Sequence, residues 1–205
     1  TIGILTSADS LTQATNRIVQ FDLEMPNYFK VQDFDSDIQA SLLDSGAFFF
    51  VKLEIQPVGG NAFKLGYQIL DVENSQVAYP GKVYTVERND LRRAAHYVSN
   101  DIVNSLLGEQ MAAHSRLLAV QKSQKGKNII VMDYDGQRPW LLTNDSHINF
   151  LPEWGPGNTS VLYSSFKLKY PTIFQADLTT GRKTQLLAKN YHVYGPKVSP
   201  NGEEI

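Results

Sequence analysis

The sequence contains no cysteine, so disulfide bonds and thiolate chemistry are excluded and the redox compartment is left open. No apolar run approaches the roughly 20 residues that a transmembrane helix needs, so the chain is not expected to span a membrane. An excess of charge of one sign is also missing, because 19 basic and 21 acidic residues leave a net charge of −2. A nucleic-acid interface needs a clustered basic face, so nucleic acid is not an expected partner.

Recognisable catalytic and cofactor motifs are absent as well. The chain has no G-x-S-x-G nucleophile elbow, no Walker loop and no G-x-G-x-x-G fingerprint. Its histidines lack the i, i+4 spacing of a zinc site. Asp133, Asp135 and Gly136 resemble the start of a calcium loop, but the remaining ligands of an EF-hand do not follow. The sequence therefore predicts no catalytic residue, no metal site and no cofactor.

What is present divides into two halves, and the first half, residues 1–112, mixes helical and strand patterns. Ser10 followed by Gln13 forms a capping box, which predicts a helix that ends before Pro26. Residues 37–43 predict one or two further helical turns.

The clearest element of this half is a helix over residues 91–108. Its N-cap is predicted at Asn89, and Gly108 stands where a C-terminal cap belongs. His96 lies just off the apolar stripe and is expected to have a packing or interface role. The stripe recurs at helical spacing and consists of Leu91, Ala94, Ala95, Val98, Ile102 and Leu106.

Strand patterns supply a sheet for that helix to pack against. Residues 47–56 and 63–70 are rich in aromatic and β-branched side chains, and a Gly-Gly-Asn turn between them predicts a β-hairpin. Residues 77–86 predict another strand, interrupted at Pro80. Helices beside such a sheet make α+β the expected fold class of residues 1–112.

From about residue 113 the chain shows strand patterns alone, and part of it is written twice. D-Y-D-G-Q-R-P-W-L-L-T begins at Asp133 and D-L-T-T-G-R-K-T-Q-L-L begins at Asp177, and prolines follow each copy. Equivalent residues lie about 45 positions apart, a period typical of β-propeller blades. Two blades are too few to close a propeller, so residues 113–205 are predicted to be the first part of an incomplete all-β propeller.

Three segments resemble the TolB family of the Tol-Pal envelope system. The first is L-G-Y-Q-I-L-D-V at residues 65–72. The second is the helix at 91–108, which is similar to the family's R-x-x-A-H-x-x-S-D helix. The third is the repeat itself, which is similar to the family's P-x-W-S-P-D-G pattern. The helix followed by the repeat is more specific than the repeat alone, because peptidase propellers share the repeat.

The resemblance implies a TolB N-terminal-like domain over residues 1–112 and a propeller over 113–205. It also implies a periplasmic scaffold without enzymatic activity, which helps maintain outer-membrane integrity and constrict the envelope at division. The implied partners are a Pal-like peptidoglycan-associated lipoprotein and a TolA-like inner-membrane protein. Two alternatives stay open: the gating propeller of a serine peptidase whose hydrolase domain is missing from this chain, and a TolB-like propeller that binds carbohydrate or another ligand.

The loops before the prolines of the repeat, residues 144–151 and 189–194, are the expected binding loops. Loops of this kind emerge on one face of a propeller, and amphipathic aromatic residues are enriched at protein interfaces. Trp154 and Pro152 are instead expected to pack within the blades. The predicted partner-binding residues are His147, Asn149, Phe150, Tyr191, His192 and Tyr194.

Overall fold

The structure of the protein, a computed structural model, describes four ranges, residues 1–5, 9–34, 46–187 and 191–205. The described residues form two compact units, Thr1–His114 (unit 1) and Ser115–Ile205 (unit 2). The helical turns predicted for residues 37–43 lie outside the described ranges. Among the described residues, no helix combines the length and the apolar character that crossing a bilayer requires.

Unit 1 is built on a mixed sheet. Its described strands are β1 (Ile2–Leu5), β2 (Val31–Phe34), β3 (Phe49–Gly59), β4 (Ala62–Asp71), β5 (Gln76–Tyr79) and β6 (Val83–Glu87). Their order is β2-β1-β3-β4, and both β5 and β6 pair with β4. The predicted hairpin is confirmed as β3 and β4, which are antiparallel with Val51 opposite Ile69. β1 runs parallel to β2 and β3.

Helix α1 (Ser10–Glu24) connects the parallel strands β1 and β2. Its N-cap is Asp9, so the capping box predicted at Ser10 is wrong by one residue. The Asp9 carboxylate accepts hydrogen bonds from N and Oγ1 of Thr12, each at 2.7 Å. A charged acceptor with two donors makes a stronger cap than a hydroxyl, and these bonds lower the pKa of Asp9. The helix ends before Pro26, as predicted.

Helix α2 (Leu91–Leu107) follows a single 3₁₀ turn, Arg88–Asp90. The chain is therefore already helical at Asn89, and the N-cap predicted there is wrong. The C-terminal prediction is confirmed, because Gly108 has φ of 70° and its N–H donates to the carbonyl of Asn104 at 2.9 Å. Gly108 ends the helix because glycine adopts this left-handed conformation without a Cβ penalty.

The core of unit 1 lies between the two described helices and the sheet. α1 packs against α2 and β3, and α2 packs against β4 and β6, so both helices cover one face of the sheet. The alternation predicted for β4 is confirmed, because Leu65, Tyr67 and Ile69 are buried. Burial of each large aliphatic side chain contributes about 1.5–3 kcal/mol.

Unit 2 consists of two antiparallel sheets whose consecutive strands pair. The first contains β7 (Arg116–Lys122), β8 (Lys127–Asp133) and β9 (Trp140–Leu141). The second contains β10 (Asn149–Trp154), β11 (Ser160–Ser165), β12 (Thr172–Asp177) and β13 (Lys183–Gln185). Side chains of both sheets join in one apolar cluster that includes Val131, Tyr163 and Phe174. Trp154 packs against this cluster, as expected from the sequence.

The two copies of the repeat occupy equivalent places in the two sheets. The first aspartate–glycine turn joins β8 to β9, and Gly136 N donates to the Asp133 carbonyl at 2.9 Å. The second joins β12 to β13, and Gly181 N donates to the Asp177 carbonyl at 2.9 Å. The repeated sequence therefore forms the corresponding hairpin in each sheet, as expected if each sheet is one blade of a repeating structure.

Strand β10 was not expected, because the sequence analysis assigned residues 144–151 to a loop and gave no strand to Pro152 and Trp154, which it expected to pack within the blades. Leu151 has φ of 48°, and the β10–β11 register shifts between Phe150 and Glu153. This bulge, next to Pro152, interrupts the alternation of apolar and polar residues from which strands are predicted. Pairing with β11 maintains the strand despite the irregularity.

Candidate partner-binding surface

Backbone hydrogen bonds bring three loop segments of unit 2 together. The N–H of Phe166, just after β11, donates to the carbonyl of Ile148 at 3.0 Å. The N–H of Val193 donates to the carbonyl of Pro171 at 3.1 Å. The connection between β11 and β12 thus contacts both of the loops that the sequence analysis identified.

Aromatic rings from these segments pack against one another. The rings of Phe150 and Phe166 stack with centroids 5.6 Å apart and planes 22° apart, and Tyr194 lies 6.4 Å from Phe150. The rings of Tyr170 and His192 lie 5.4 Å apart. We call these five residues the aromatic surface. Stacked rings hold one another in a fixed orientation, and their interaction stabilises the structure by more than the burial of their apolar area alone.

Much of this cluster is exposed to solvent. Phe166 is 43% exposed and Tyr194 is 60% exposed, and neighbouring Leu151 and Leu168 are about half exposed. Exposed apolar patches often mark interaction sites on folded proteins, so the aromatic surface is a candidate for partner binding.

Two lysines of the β11–β12 connection lie over aromatic rings. Lys169 Nζ lies 5.4 Å from the centroid of Tyr170 in the aromatic surface, and Lys167 Nζ lies 5.9 Å from the centroid of Phe174 in the apolar cluster. Both lysines are exposed, so their ammonium groups keep access to water while they interact with the ring faces. The surface therefore combines apolar area with positive charge and suits a partner that presents carboxylates.

A buried polar network holds the loop that leads into this surface. Asn128 Oδ1 accepts hydrogen bonds from Thr143 Oγ1 at 3.0 Å and from Asp145 N at 3.1 Å. Asn149 Nδ2 donates to Asp145 Oδ1 at 2.9 Å. Burial favours the neutral carboxyl of Asp145, but these hydrogen bonds and nearby His147 favour the charged form and lower its pKa. Burial, and secondly the charge of Asp145, raises the pKa of Tyr163 to about 12.

Asn149 is wrongly predicted to lie on the surface. Its side chain is 0% exposed, and its amide is engaged within the network. Asn149 is the first residue of β10, where the amide also donates to the carbonyl of Lys127 at 3.1 Å. Its contribution is to position the loop.

The remaining predicted residues occupy different places. Phe150, His192 and Tyr194 belong to the aromatic surface. Tyr191 is 61% exposed. His147 is partly exposed, with Nδ1 3.4 Å from Asp145 Oδ1. Their part in partner binding stays a prediction.

The sequence analysis missed the β11–β12 connection, which supplies Phe166, Lys167, Lys169 and Tyr170. Its sequence, F-K-L-K-Y, alternates apolar and basic side chains between two buried strands. This alternation of apolar and basic residues was the signal that could have identified the connection as part of the surface.

Consecutive antiparallel sheets, repeated with a period of about 45 residues, define unit 2 as blades of a β-propeller. Comparison with known proteins gives the family. Residues 103–205 match the family described as TolB beta propeller domain. The chain belongs to the TolB β-propeller family, which confirms the resemblance drawn from the sequence.

Individual relatives agree with this assignment. The chain is 32% identical to the Tol-Pal system protein TolB of Methylobacillus flagellatus, over 80% of this chain and 35% of the relative. It is 28% identical to the protein of the same name from Acinetobacter baylyi, over 83% of this chain and 41% of the relative. The crystal structure of TolB from Acinetobacter baumannii superposes with a TM-score of 0.75 at 22% identity, over 90% of this chain and 48% of that chain. The chain thus spans less than half the length of these relatives.

Proposed function

We propose that this protein is a non-enzymatic scaffold of the Tol-Pal system in the periplasm. It binds a Pal-like peptidoglycan-associated lipoprotein and a TolA-like inner-membrane protein, and so helps maintain the outer membrane and constrict the envelope at division. Family membership and the names of the relatives support the system. The observation that carries a binding role is the exposed, stacked aromatic surface of unit 2.

The aromatic surface binds the Pal-like protein in this proposal. Phe150, Phe166 and Tyr194 supply rigid apolar area, and large aromatic side chains at interface centres carry a disproportionate share of binding energy. Because the rings already stack on one another, little side-chain entropy is lost on binding. Lys167 and Lys169 attract a partner with exposed carboxylates and raise the association rate at low ionic strength.

Unit 1 corresponds to the TolB N-terminal-like domain and contacts the TolA-like protein. Its two-helix layer and mixed sheet form a compact unit that offers surfaces distinct from the aromatic surface of unit 2. A scaffold requires two such binding regions, so that a partner anchored in one membrane is linked to a partner anchored in the other.

Isothermal titration with the purified periplasmic domain of a Pal-like protein from the same organism tests the proposal. Phe166→Ala and Tyr194→Ala are each expected to weaken binding by about tenfold or more, as removal of an interface anchor does. Phe48→Ala is the matched control, because Phe48 is an exposed aromatic residue of unit 1 (70%). Undiminished binding by both unit 2 variants would reject the aromatic surface as the site, and lack of binding by the unaltered protein would reject the Pal assignment.

A further inference from the structure

Strand β6 has an unpaired edge within the described part of the chain. On one side it pairs with β4, from Glu87 opposite Ala62 to Val83 opposite Gly66. None of the other described strands pairs with it. An edge strand of this kind presents main-chain donors and acceptors that can pair with another chain.

The register identifies which main-chain groups of β6 point away from β4. Arg88 N donates to the Asn61 carbonyl at 3.0 Å, and Tyr67 N donates to the Lys82 carbonyl at 3.4 Å. In an antiparallel pair the hydrogen-bonding groups of successive residues point to opposite sides, so the even-numbered residues of β6 bond to β4. The outward-facing N–H and C=O groups therefore belong to Val83, Thr85 and Glu87.

A groove of about 460 Å³ lies beside this edge, between β6 and α2. Tyr84 and Val86 of β6 form one wall, and Arg93 and Tyr97 of α2 form the other. The rings of Tyr84 and Tyr97 stack with centroids 6.1 Å apart. A groove with aromatic and aliphatic walls next to free main-chain groups can take the apolar side chain of a strand that pairs with the edge.

Charge marks one end of the groove. Glu87 and Asp90, both exposed, line it where β6 leads into α2. The nearby cations have partners of their own. Lys82 pairs with Asp101 at 2.6 Å, Arg88 lies over the ring of Phe63, and Arg93, in the wall of the groove, lies over the ring of Tyr97. A partner segment with a lysine or arginine at this end would complement the two carboxylates.

We propose that β6 and this groove form a docking site for an extended segment of a partner protein, which adds a strand to the sheet of unit 1. The segment pairs with the main chain of Val83, Thr85 and Glu87. It places an apolar or aromatic side chain in the groove and a basic side chain opposite Glu87 and Asp90. This site uses no residue of the aromatic surface and does not depend on the function proposed above.

The edge permits a selective test. Thr85→Pro removes an outward N–H while leaving the ladder to β4 intact, and proline is tolerated on edge strands where its nitrogen faces away from the sheet. Thr85→Val is the matched control, because it changes the same side chain and keeps the N–H. Circular dichroism and thermal melting of both variants establish that they are folded.

The probe is a short acetylated and amidated peptide with alternating valines, one tyrosine and one arginine, compared with its arginine-to-glutamate version by fluorescence anisotropy. We expect the unaltered chain and Thr85→Val to bind the arginine peptide, and Thr85→Pro to bind about tenfold more weakly, because an edge hydrogen bond is lost. Glu87→Lys should reverse the preference between the two peptides. Amide exchange at Val83, Thr85 and Glu87 should slow on binding.

Three results would overturn the proposal. One is failure of the unaltered chain to bind the arginine peptide. Another is equal binding of the arginine peptide by Thr85→Pro and Thr85→Val. The third is a concentration-dependent dimer that Thr85→Pro abolishes, because the occupant of the edge would then be a second copy of this chain.

Discussion

The imidazole Nδ1 of His96 lies 2.7 Å from Oδ2 of Asp22, and both side chains are buried. Ser99 Oγ donates to the same carboxylate oxygen at 2.8 Å. The residue types are those of a hydrolase triad, but the serine of a triad is hydrogen-bonded to the imidazole, whereas Ser99 is bonded to Asp22. The cluster joins α1 to α2, in keeping with the packing role expected of His96.

Replacement of Asp22 by alanine should destabilise unit 1 strongly. The change leaves the buried His96 and Ser99 without their shared acceptor, and each buried polar group left unsatisfied costs about 1–3 kcal/mol. The free energy of unfolding in urea measures the effect. Asp33→Ala is the control, because Asp33 is exposed. Similar losses in the two variants would show that the cluster is not a stabilising link.

Two glycines with the same backbone conformation should respond differently to alanine. Gly81 and Gly108 both have φ of 70°. A Cβ at Gly81 would lie 1.9 Å from the Tyr67 carbonyl oxygen, whereas no atom lies within 4 Å of a Cβ at Gly108. Gly108→Ala should therefore cost about 1–2 kcal/mol from backbone strain alone, and Gly81→Ala should cost clearly more. Equal losses, measured by denaturant unfolding, would mean that the corner between β5 and β6 adjusts freely.

The stability of unit 2 should depend on the ionisation of Asp145. Burial favours its neutral form, but hydrogen bonds from Asn149 and His147 prevail and hold its pKa below the ordinary value of 3.8. A lowered folded-state pKa stabilises the fold above the unfolded-state value, and this contribution is lost as pH falls through the folded-state pKa. The unaltered protein should exceed Asp145→Asn in stability by about 1 kcal/mol or less at neutral pH.

That difference should shrink as the pH falls below 3.8, the ordinary pKa value for an aspartate. Unfolding in urea, followed by tryptophan fluorescence, measures it at each pH, because both tryptophans, Trp140 and Trp154, lie in unit 2. A difference that grows on acidification would show that the Asp145 carboxylate is destabilising in the folded state.

Alanine variants of Asn149 and Tyr194 should show that the first residue contributes mainly to stability and the second mainly to partner binding. Asn149→Ala removes a buried amide that donates to Asp145 and to the Lys127 carbonyl, and an unsatisfied buried group costs about 1–3 kcal/mol. Tyr194→Ala removes an exposed ring and should change stability by less than about 0.5 kcal/mol. Thermal melting should rank Asn149→Ala as less stable, whereas Tyr194→Ala should show the greater loss of Pal binding. The reverse order would assign Asn149 to the contact surface after all.

Much of the fold could be predicted because the spacing of apolar residues along a helix or strand indicates which of its faces is buried. The buried stripe of α2 from Leu91 to Ile102 is visible at helical spacing, and the alternation through Leu65, Tyr67 and Ile69 indicates a half-buried strand. The repeat at Asp133 and Asp177 located the same hairpin in both blades. Cap positions were less predictable, because Asp9 and Ser10 are both good caps and only the hydrogen bonds to Thr12 distinguish them.

By itself the sequence determined the helices, the main hairpin, the propeller repeat and the family. Tertiary structure decided the rest, since strand pairing brings together residues that are distant along the chain. Only the fold shows that Phe166 stacks on Phe150, that Asn149 is buried, and that β4 alone among the described strands pairs with β6. A local pattern reports whether a side chain is apolar or exposed, but the identity of its neighbours depends on how whole strands pack.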